Sequence, residues 1–427
     1  MNARPPAVDP RERAALVGVI SRRVRRAEAE RSLEELSGLA AAAGARVAFR
    51  MLQDRNTPDP ATFLGRGKLE TLARACDEGS VDLVIFDHEL SPAQLREIES
   101  ALGRKALDRT QLILDIFARR ARTREGKWQV ELAQLEYLLP RLVGTGAALS
   151  RLGGGIGTRG PGETKLETDR RRVRQRIHAL EREIEQIRRR RRNLRGRRRK
   201  AAVPTVALVG YTNAGKTTLF NRLTRERAEA SDALFVTLDP LVRRVRLPDR
   251  RQLLLSDTVG FIDRLPHTLV AAFHATLEAV GDAELMLHVI DAADPERDRH
   301  IASVLRVLDE VGAADVPMLN VYNKSDRLDE AEKIRLRQDA RGALCVSALT
   351  GDGCGELLEV VAALVALDTT RVRLEFDDRR AVDRDRIARV YRHARVISHV
   401  AIDHRVSIEA DVPRRLLDRL EVAAAHA

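Results

Sequence analysis

The sequence is poor in cysteine, in aromatic residues and in long apolar runs, and each shortage excludes a class of protein. Cys76, Cys345 and Cys354 are odd in number and lack CxxC spacing, so they suggest neither a disulfide framework nor a zinc site. Aromatic residues make up 3% of the chain, too few for extended platforms that stack single-stranded bases. The longest strictly apolar run, Val360 to Leu367, is far shorter than the ~18 residues that cross a bilayer. We therefore expect a soluble protein of the reducing cytoplasm with no membrane span.

The chain is strongly basic, and one segment carries the excess. The net charge is +12 over 427 residues. Between Lys165 and Lys200 there are 17 Lys or Arg against 5 Asp or Glu, so the rest of the chain is close to neutral. A block of like charge is often a solvated tail, but this one is internal and follows a helical pattern. It therefore favours a polyanionic partner.

A chain of this length exceeds one compact core and should contain several domains. Apolar strand-like runs alternate with amphipathic helices in its first part, which predicts a small α/β domain with a parallel sheet. No phosphate-binding loop follows any of those strands. The expected architecture is α/β and multidomain. Its regions are an N-terminal α/β domain (1–125), an antiparallel helical hairpin (126–200), a Ras-like P-loop G domain (201–368) and a small α+β C-terminal domain (369–427).

Two apolar stripes with helical spacing define the second region. The first includes Leu132 and Leu135, and the second includes Ile177 and Ile184. The stripes can pair as an antiparallel coiled coil, with the glycine-rich segment Gly153 to Gly162 as the connecting tip. A GxGxxG match in this segment is not a dinucleotide fingerprint, because no strand precedes or follows it. The tip is either a flexible hinge or a surface that fits closely against another macromolecule.

The third region begins with a phosphate-binding motif in its proper setting. An apolar strand, Val206 to Val209, is followed by the sequence GYTNAGKT and then by a helix, which is the order that a P-loop requires. Backbone amides of such a loop converge on phosphates at a helix N-terminus. Lys216 should bridge the β- and γ-phosphates, and the Thr217 hydroxyl should bind Mg²⁺. The candidate nucleotide-binding residues here are Gly210, Asn213, Ala214, Gly215, Lys216, Thr217 and Thr218.

A second strand ends in Asp257-Thr258-Val259-Gly260, a DxxG motif about 40 residues after the P-loop. Asp257 can hold Mg²⁺, normally through water, and the Gly260 amide can contact the γ-phosphate. Thr237, between the two motifs, is the candidate switch threonine that closes over Mg²⁺ only when the γ-phosphate is present; the alternative is an ordinary threonine at a strand edge. The candidate metal ligands are Thr217, Thr237 and Asp257, and the candidate catalytic residues are Lys216, Thr237 and Gly260.

Base selection is predicted from Asn323-Lys324-Ser325-Asp326, which follows another apolar strand. The Asp326 carboxylate can accept hydrogen bonds from guanine N1–H and N2–H₂, which adenine does not offer. Asn323 should fix the loop, and the stem of Lys324 should cover the ring. Ser347 and Ala348 should supply a backbone amide for guanine O6. These residues indicate GTP rather than ATP.

The residue after the DxxG motif is Phe261, where small signalling G proteins have the glutamine that orients the attacking water. A phenyl ring cannot orient water. We therefore expect slow intrinsic hydrolysis and help from a partner or from another residue.

Further motifs outside the nucleotide site are specific to one family. They are Pro58-Asp59-Pro60 with Gly65-Arg66-Gly67-Lys68, Asp108-Arg109-Thr110, Ala121-Arg122-Thr123-Arg124-Glu125-Gly126, the segments 129–135 and 137–142, and SRLGGGIGTRGPGETK from Ser150 to Lys165. With these motifs, the chain resembles the HflX family, translation-associated GTPases of the Obg-HflX group.

The resemblance implies the four regions described above, binding to the large ribosomal subunit and its ribosomal RNA, and GTP-dependent separation of the subunits under stress. It also implies GTP and GDP as ligands with Mg²⁺ as cofactor, and we expect a monomer. Two alternatives stay open. A factor for ribosomal subunit assembly would share these features, whereas a signalling GTPase with protein effectors would not need the basic segment.

Overall fold

The computed structural model describes residues 12–22, 24–142, 161–200, 203–226, 234–235, 237–238, 240–263, 280–281, 283–339, 343–365, 369–413, 417 and 425–426. Two compact units are present. One contains the chain up to Ile184, together with Leu234 and Phe235, and the other contains most of the chain from Glu185 onward. Within the described ranges, no helix combines the length and the apolar character needed to cross a membrane.

The N-terminal part is a four-stranded parallel sheet in the order β2-β1-β3-β4, as the alternation of strands and helices predicted. Its strands are β1 (Arg13–Ile20), β2 (Arg46–Asp54), β3 (Leu83–Phe86) and β4 (Lys105–Asp108). Its helices are α1 (Arg26–Ala42), α2 (Arg66–Glu78), α3 (Pro92–Leu102) and α4 (Arg109–Arg120). β1 and β3 are apolar along almost their whole length because helices cover parallel sheets on both faces.

Local sequence signals fix the ends of these helices. α3 begins at a capping box, in which the Ser91 hydroxyl accepts a hydrogen bond from the Gln94 backbone amide and the Gln94 side-chain oxygen accepts one from the Ser91 backbone amide. It ends at Gly103, whose φ of 64° is left-handed. α4 follows Asp108, whose carboxylate accepts a hydrogen bond from the Gln111 amide.

The predicted hairpin is formed by α5 (Arg124–Leu138), a short 3₁₀ turn (Leu139–Leu142) and α6 (Pro161–Lys200). The two predicted stripes meet in one apolar cluster that includes Leu132, Ile177, Leu180 and Ile184. Arg176 Nε lies 2.7 Å from Glu131 Oε1, whereas the turn that follows α5 lies near the earlier part of α6. The helices are therefore antiparallel. Residues 153–160 of the predicted glycine-rich tip lie outside the described residues.

The G domain has a six-stranded sheet in the order β10-β9-β8-β5-β7-β6, in which only β6 is antiparallel to its neighbour. Its strands are β5 (Thr205–Val209), β6 (Leu241–Arg246), β7 (Gln252–Asp257), β8 (Leu285–Asp291), β9 (Met318–Asn323) and β10 (Leu344–Cys345). Its helices are α7 (Lys216–Thr224), α8 (Arg297–Glu310), α9 (Glu330–Asp339) and α10 (Cys354–Leu364). The carboxyl ends of five parallel strands thus meet at one edge of the sheet, where ligands of α/β proteins bind.

The C-terminal part is α+β, as expected. It contains β11 (Thr369–Asp377), α11 (Ala381–His393), β12 (Arg395–Ile402), β13 (Arg405–Pro413) and β14 (Ala425–His426). The strands form an antiparallel sheet in the order β12-β13-β11-β14. Val372, Leu374 and Phe376 alternate toward the core on β11, because only one face of this sheet is buried.

A buried ion network stands at the carboxyl end of β3 in the N-terminal unit. Arg109 Nη1 lies 3.0 Å from Asp87 Oδ1, and Arg109 Nη2 lies 3.1 Å from Glu35 Oε1. The Ser32 hydroxyl donates to the other oxygen of Asp87 at 2.6 Å. The side chains of Arg109 and Asp87 are only 4% and 2% exposed, so neither charge can be left unpaired without a large desolvation cost.

We expect Arg109→Ala to destabilise the N-terminal unit by about 3–5 kcal/mol, because it leaves buried carboxylates without their cation. Arg26→Ala is the matched control, since Arg26 pairs with Asp54 at an exposed site and its loss should cost at most about 1 kcal/mol. Urea unfolding followed by fluorescence of Trp128, the single tryptophan, measures both. Equal effects of the two substitutions would contradict a special role for the buried network.

Candidate functional site

The P-loop adopts a conformation that requires glycine at two positions. Gly210 has φ of +150°, and a Cβ there would lie 2.2 Å from the carbonyl oxygen of Val289. Gly215, at the N-terminus of α7, has φ of +89°, and its Cβ would lie 2.2 Å from Asn323 Nδ2. Side chains at these positions would therefore collide with β8 and with the end of β9. The glycines let the loop approach the neighbouring strand ends closely.

Lys216 is buried at the start of α7, with its ammonium group inside the loop. Its Nζ donates to the carbonyl oxygens of Gly210 at 3.1 Å and Tyr211 at 2.7 Å. Burial is the main reason why the pKa of Lys216 falls to about 8; the negative charge of Asp257 opposes this shift and the positive charge of Lys324 adds to it. The P-loop backbone therefore encloses the positively charged ammonium group of Lys216.

The structure brings together Thr217, Thr237 and Asp257, the three predicted metal ligands. The Thr217 hydroxyl donates to Asp257 Oδ2 at 2.8 Å, the Thr237 hydroxyl donates to the same oxygen at 3.1 Å, and the two hydroxyl oxygens are 2.8 Å apart. Asp257 is fully buried, and this burial raises the pKa of its carboxyl group. Among the described residues, Asp257 Oδ1 has no hydrogen-bond partner. An unpaired buried carboxylate oxygen beside two hydroxyl groups suits a hard cation.

The segment after the DxxG motif is hydrogen-bonded to the P-loop. The Phe261 amide donates to Gly210 O at 3.1 Å, and the Thr212 amide donates to Phe261 O at 2.7 Å. The Phe261 side chain is 2% exposed. Gly260 lies directly before it, and a Cβ at Gly260 would be 3.2 Å from Lys216 Nζ. The position that carries glutamine in small G proteins is thus occupied here by a core residue.

The predicted guanine loop is joined to the P-loop by one side chain. Asn323 Nδ2 donates to the Ala214 carbonyl at 2.8 Å, and Asn323 Oδ1 accepts from the Ala348 amide at 2.9 Å. The Ser347 hydroxyl donates to Asp326 Oδ1 at 2.6 Å, and Asp326 is exposed. The residues predicted from these separate sequence segments therefore lie together. Asn213, with a left-handed φ of 60°, and Thr218 complete the P-loop and the first turn of α7.

Sequence reasoning missed four residues that hold this site in place. Asp291, at the end of β8, pairs with Lys324 Nζ at 2.6 Å. Tyr211 stacks on His300 of α8 with ring centroids 3.8 Å apart, and its hydroxyl accepts from the Asp263 amide at 2.9 Å. The position of Asp291 at the end of an apolar strand was the one available signal, because strand ends at this edge carry functional side chains. Nothing in the sequence pairs Tyr211 with His300 or Asp263.

We expect the G domain to gain stability relative to Lys216→Met as pH rises from about 8 to about 10.5. In that window unfolded Lys216 still carries a proton that the folded group has lost, so stability rises with pH by up to about 1.4 kcal/mol per unit. Hydrogen exchange of β5 and β7 in urea, without nucleotide, reports on this domain alone. Parallel pH curves for the two proteins would contradict a low pKa for Lys216.

Three family models match the chain in consecutive segments. Residues 30–118 match the GTP-binding GTPase N-terminal model, residues 120–198 match the GTP-binding GTPase middle region, and residues 205–324 match the 50S ribosome-binding GTPase model. The first two segments correspond to the N-terminal sheet and the hairpin, and the third contains the P-loop, the DxxG motif and part of the guanine loop.

Curated relatives match most of the chain. The GTPase HflX of Caldanaerobacter subterraneus subsp. tengcongensis is 46% identical over 96% of this chain and 93% of its own length. The GTPase HflX of Escherichia coli K12 is 48% identical over 77% of this chain and 78% of its own. A solved GTP-binding protein of Sulfolobus solfataricus in complex with GDP is 26% identical, covers 83% of this chain and 98% of its own, and has a TM-score of 0.44. The identity and coverage of the two HflX relatives show that the chain belongs to the HflX family of GTPases, which are GTP hydrolases.

Proposed function

We propose that this protein binds GTP with Mg²⁺ in the cytoplasm, binds the large ribosomal subunit, and uses the GTP-bound form to separate ribosomal subunits. The observation that carries the nucleotide part is the convergence of Lys216, Thr217, Thr237 and Asp257 beside the loop joined by Asn323. The ribosomal part is supported by the match of residues 205–324 to a 50S ribosome-binding GTPase and by the basic segment of α6.

In this proposal the P-loop holds the phosphates. The amides of Asn213, Ala214, Gly215 and Lys216 lie at the N-terminus of α7, where the helix dipole favours an anion. The Lys216 ammonium, which now contacts two carbonyl oxygens of the loop, would turn to the β- and γ-phosphates. Thr217 and Thr218 complete the loop.

The residues at the metal position fit Mg²⁺, which prefers oxygen ligands. Thr217, Thr237 and Asp257 would hold it, Asp257 through water. When bound, Mg²⁺ would neutralise negative charge on the phosphates. Thr237 has the role of a sensor, because its hydroxyl can turn from Asp257 toward the metal only when the γ-phosphate is present. Gly260 would contribute its amide to the same phosphate.

Hydrolysis must proceed without a water-orienting glutamine at the position after the DxxG motif. Phe261 is buried and hydrogen-bonded through its backbone to the P-loop, and its phenyl ring has no polar group that could orient an attacking water. The intrinsic rate should be slow, and the ribosome is the proposed source of acceleration.

Base recognition tests the nucleotide assignment directly. Asp326→Asn should lower GTP affinity by about a hundredfold or more, because two hydrogen bonds to the guanine edge are lost. The amide should instead donate to the carbonyl of xanthine, so xanthosine triphosphate should become the better ligand. Asp329→Asn is the control, since this carboxylate caps α9 instead. Titration of fluorescent nucleotides measures both proteins, and unchanged GTP affinity in Asp326→Asn would contradict the assignment.

Subunit separation tests the ribosomal part. A nucleotide can drive separation only if the GTP form binds the isolated large subunit better than the joined ribosome. We expect GTP or a non-hydrolysable analogue, but not GDP, to convert joined ribosomes to subunits, with hydrolysis needed afterwards for release. Light scattering and gradient profiles measure this conversion.

Thr237→Ala should bind GDP normally and fail to split ribosomes, because it cannot report the γ-phosphate. Thr224→Ala is the matched control, since the Thr224 hydroxyl donates to a carbonyl of its own helix. No splitting by the unsubstituted protein with GTP would favour a subunit-assembly factor instead.

A further inference from the structure

A groove lined by arginine side chains lies within the N-terminal unit. An open groove of about 560 Å³ lies where α3 begins, beside the end of α5 and the first half of α6. Its floor is apolar and includes Pro92, Leu139 and Pro140. Its basic lining consists of three arginines: Arg96 from α3, and Arg170 and Arg174 from α6. We call this the arginine groove.

The three guanidinium groups are not neutralised by carboxylates of the described chain. Other arginines of α6 have such partners, since Arg172 pairs with Asp169 and Arg176 pairs with Glu131. In the groove, by contrast, the one hydrogen bond that Arg96 donates within the described residues goes to the Pro92 carbonyl, at 3.2 Å. Arg170 Nε is buried without a hydrogen-bond partner among the described residues. Like charges gathered around one groove repel each other unless an anion lies between them.

The arginine side chains of the groove and their spacing favour a phosphate as the ligand. Arginine presents a planar set of donors that matches phosphate oxygens in pairs. Arg170 and Arg174 are about one helical turn apart, roughly 6 Å along α6, so one strand can offer them neighbouring phosphates. The positive end of the α3 dipole points to the same place. The apolar floor gives a base or a sugar a surface to lie on.

Because the groove is open to solvent, it suits a phosphate that belongs to a nucleic-acid chain better than the phosphate of a free nucleotide. Small ligands such as free nucleotides are usually enclosed by their pockets, whereas a chain must enter and leave its site. We propose that the arginine groove binds a nucleotide of single-stranded RNA, with its phosphates on Arg96, Arg170 and Arg174 and its base over Pro92, Leu139 and Pro140. This assignment stands independently of the G domain and of subunit separation.

The test removes two groove charges that are exposed, so that folding is preserved. Arg96→Gln with Arg174→Gln is compared with Arg171→Gln with Arg172→Gln, which removes two charges from α6 outside the groove. The probe is a fluorescent single-stranded RNA decamer of mixed sequence, added to the full chain without nucleotide triphosphate. The groove variant should lose about tenfold in affinity. Its slope of log K against log salt should fall by about 1.4, or about 0.7 per lost phosphate contact.

The control variant should keep its affinity within about twofold, and both variants should retain the GTP affinity of the unsubstituted protein. Equal losses in both variants would show that RNA binds by the general charge of α6 and would overturn the proposal, as would no loss in either. In a further arm, nucleoside monophosphates compete with the decamer. Competition as strong as that of unlabelled decamer would assign the groove to free nucleotides and overturn its assignment to RNA.

Discussion

Two opposite charges buried at one edge of the G-domain sheet constrain the rest of the site. Lys216 and Asp257 are both removed from water. Burial favours the neutral form of each group, so it lowers the pKa of Lys216 and raises the pKa of Asp257. Their charged forms persist because loop carbonyls surround the ammonium and two threonine hydroxyls reach the carboxylate. Phosphate would give the Lys216 ammonium an anionic partner, and a divalent cation would give the Asp257 carboxylate a cationic one. These charge pairs are the source of the affinity that we propose for the nucleotide.

Asn323 connects the P-loop to the other loops at the carboxyl-terminal edge of the G-domain sheet. Its amide group contacts the Ala214 carbonyl on one side and the Ala348 amide on the other, so a shift of the guanine loop must also move the P-loop. The parallel direction of β5, β8, β9 and β10 makes this possible, because their carboxyl ends open on the same side. One hydrogen-bonded junction thus joins the P-loop to the predicted guanine loop.

In the N-terminal unit, too, the carboxyl ends of parallel strands carry polar side chains at one edge of the sheet, but there these side chains neutralise each other. At its strand ends, Asp87 and Asp108 are satisfied by Arg109 and Arg141, which leaves a structural network rather than a catalytic site. Arg96, Arg170 and Arg174, which pair with no carboxylate among the described residues, line one groove between α3 and α6. In both units, a buried polar atom without a hydrogen-bond partner in the described part of the chain, Asp257 Oδ1 or Arg170 Nε, marks the place where we propose a ligand.

The sequence by itself determined the fold class, the alternation of strands and helices in the first region, and the candidate nucleotide residues from Gly210 to Ala348. These are local properties: glycines that permit left-handed backbone, apolar periods and short motifs are written in consecutive residues. Only the tertiary structure decided that Phe261 lies in the core against the P-loop, that Asp291 neutralises Lys324, and that Arg96 shares a groove with Arg170 and Arg174. Such pairs are far apart in the chain and leave no local pattern, because their contact depends on how whole helices and strands pack.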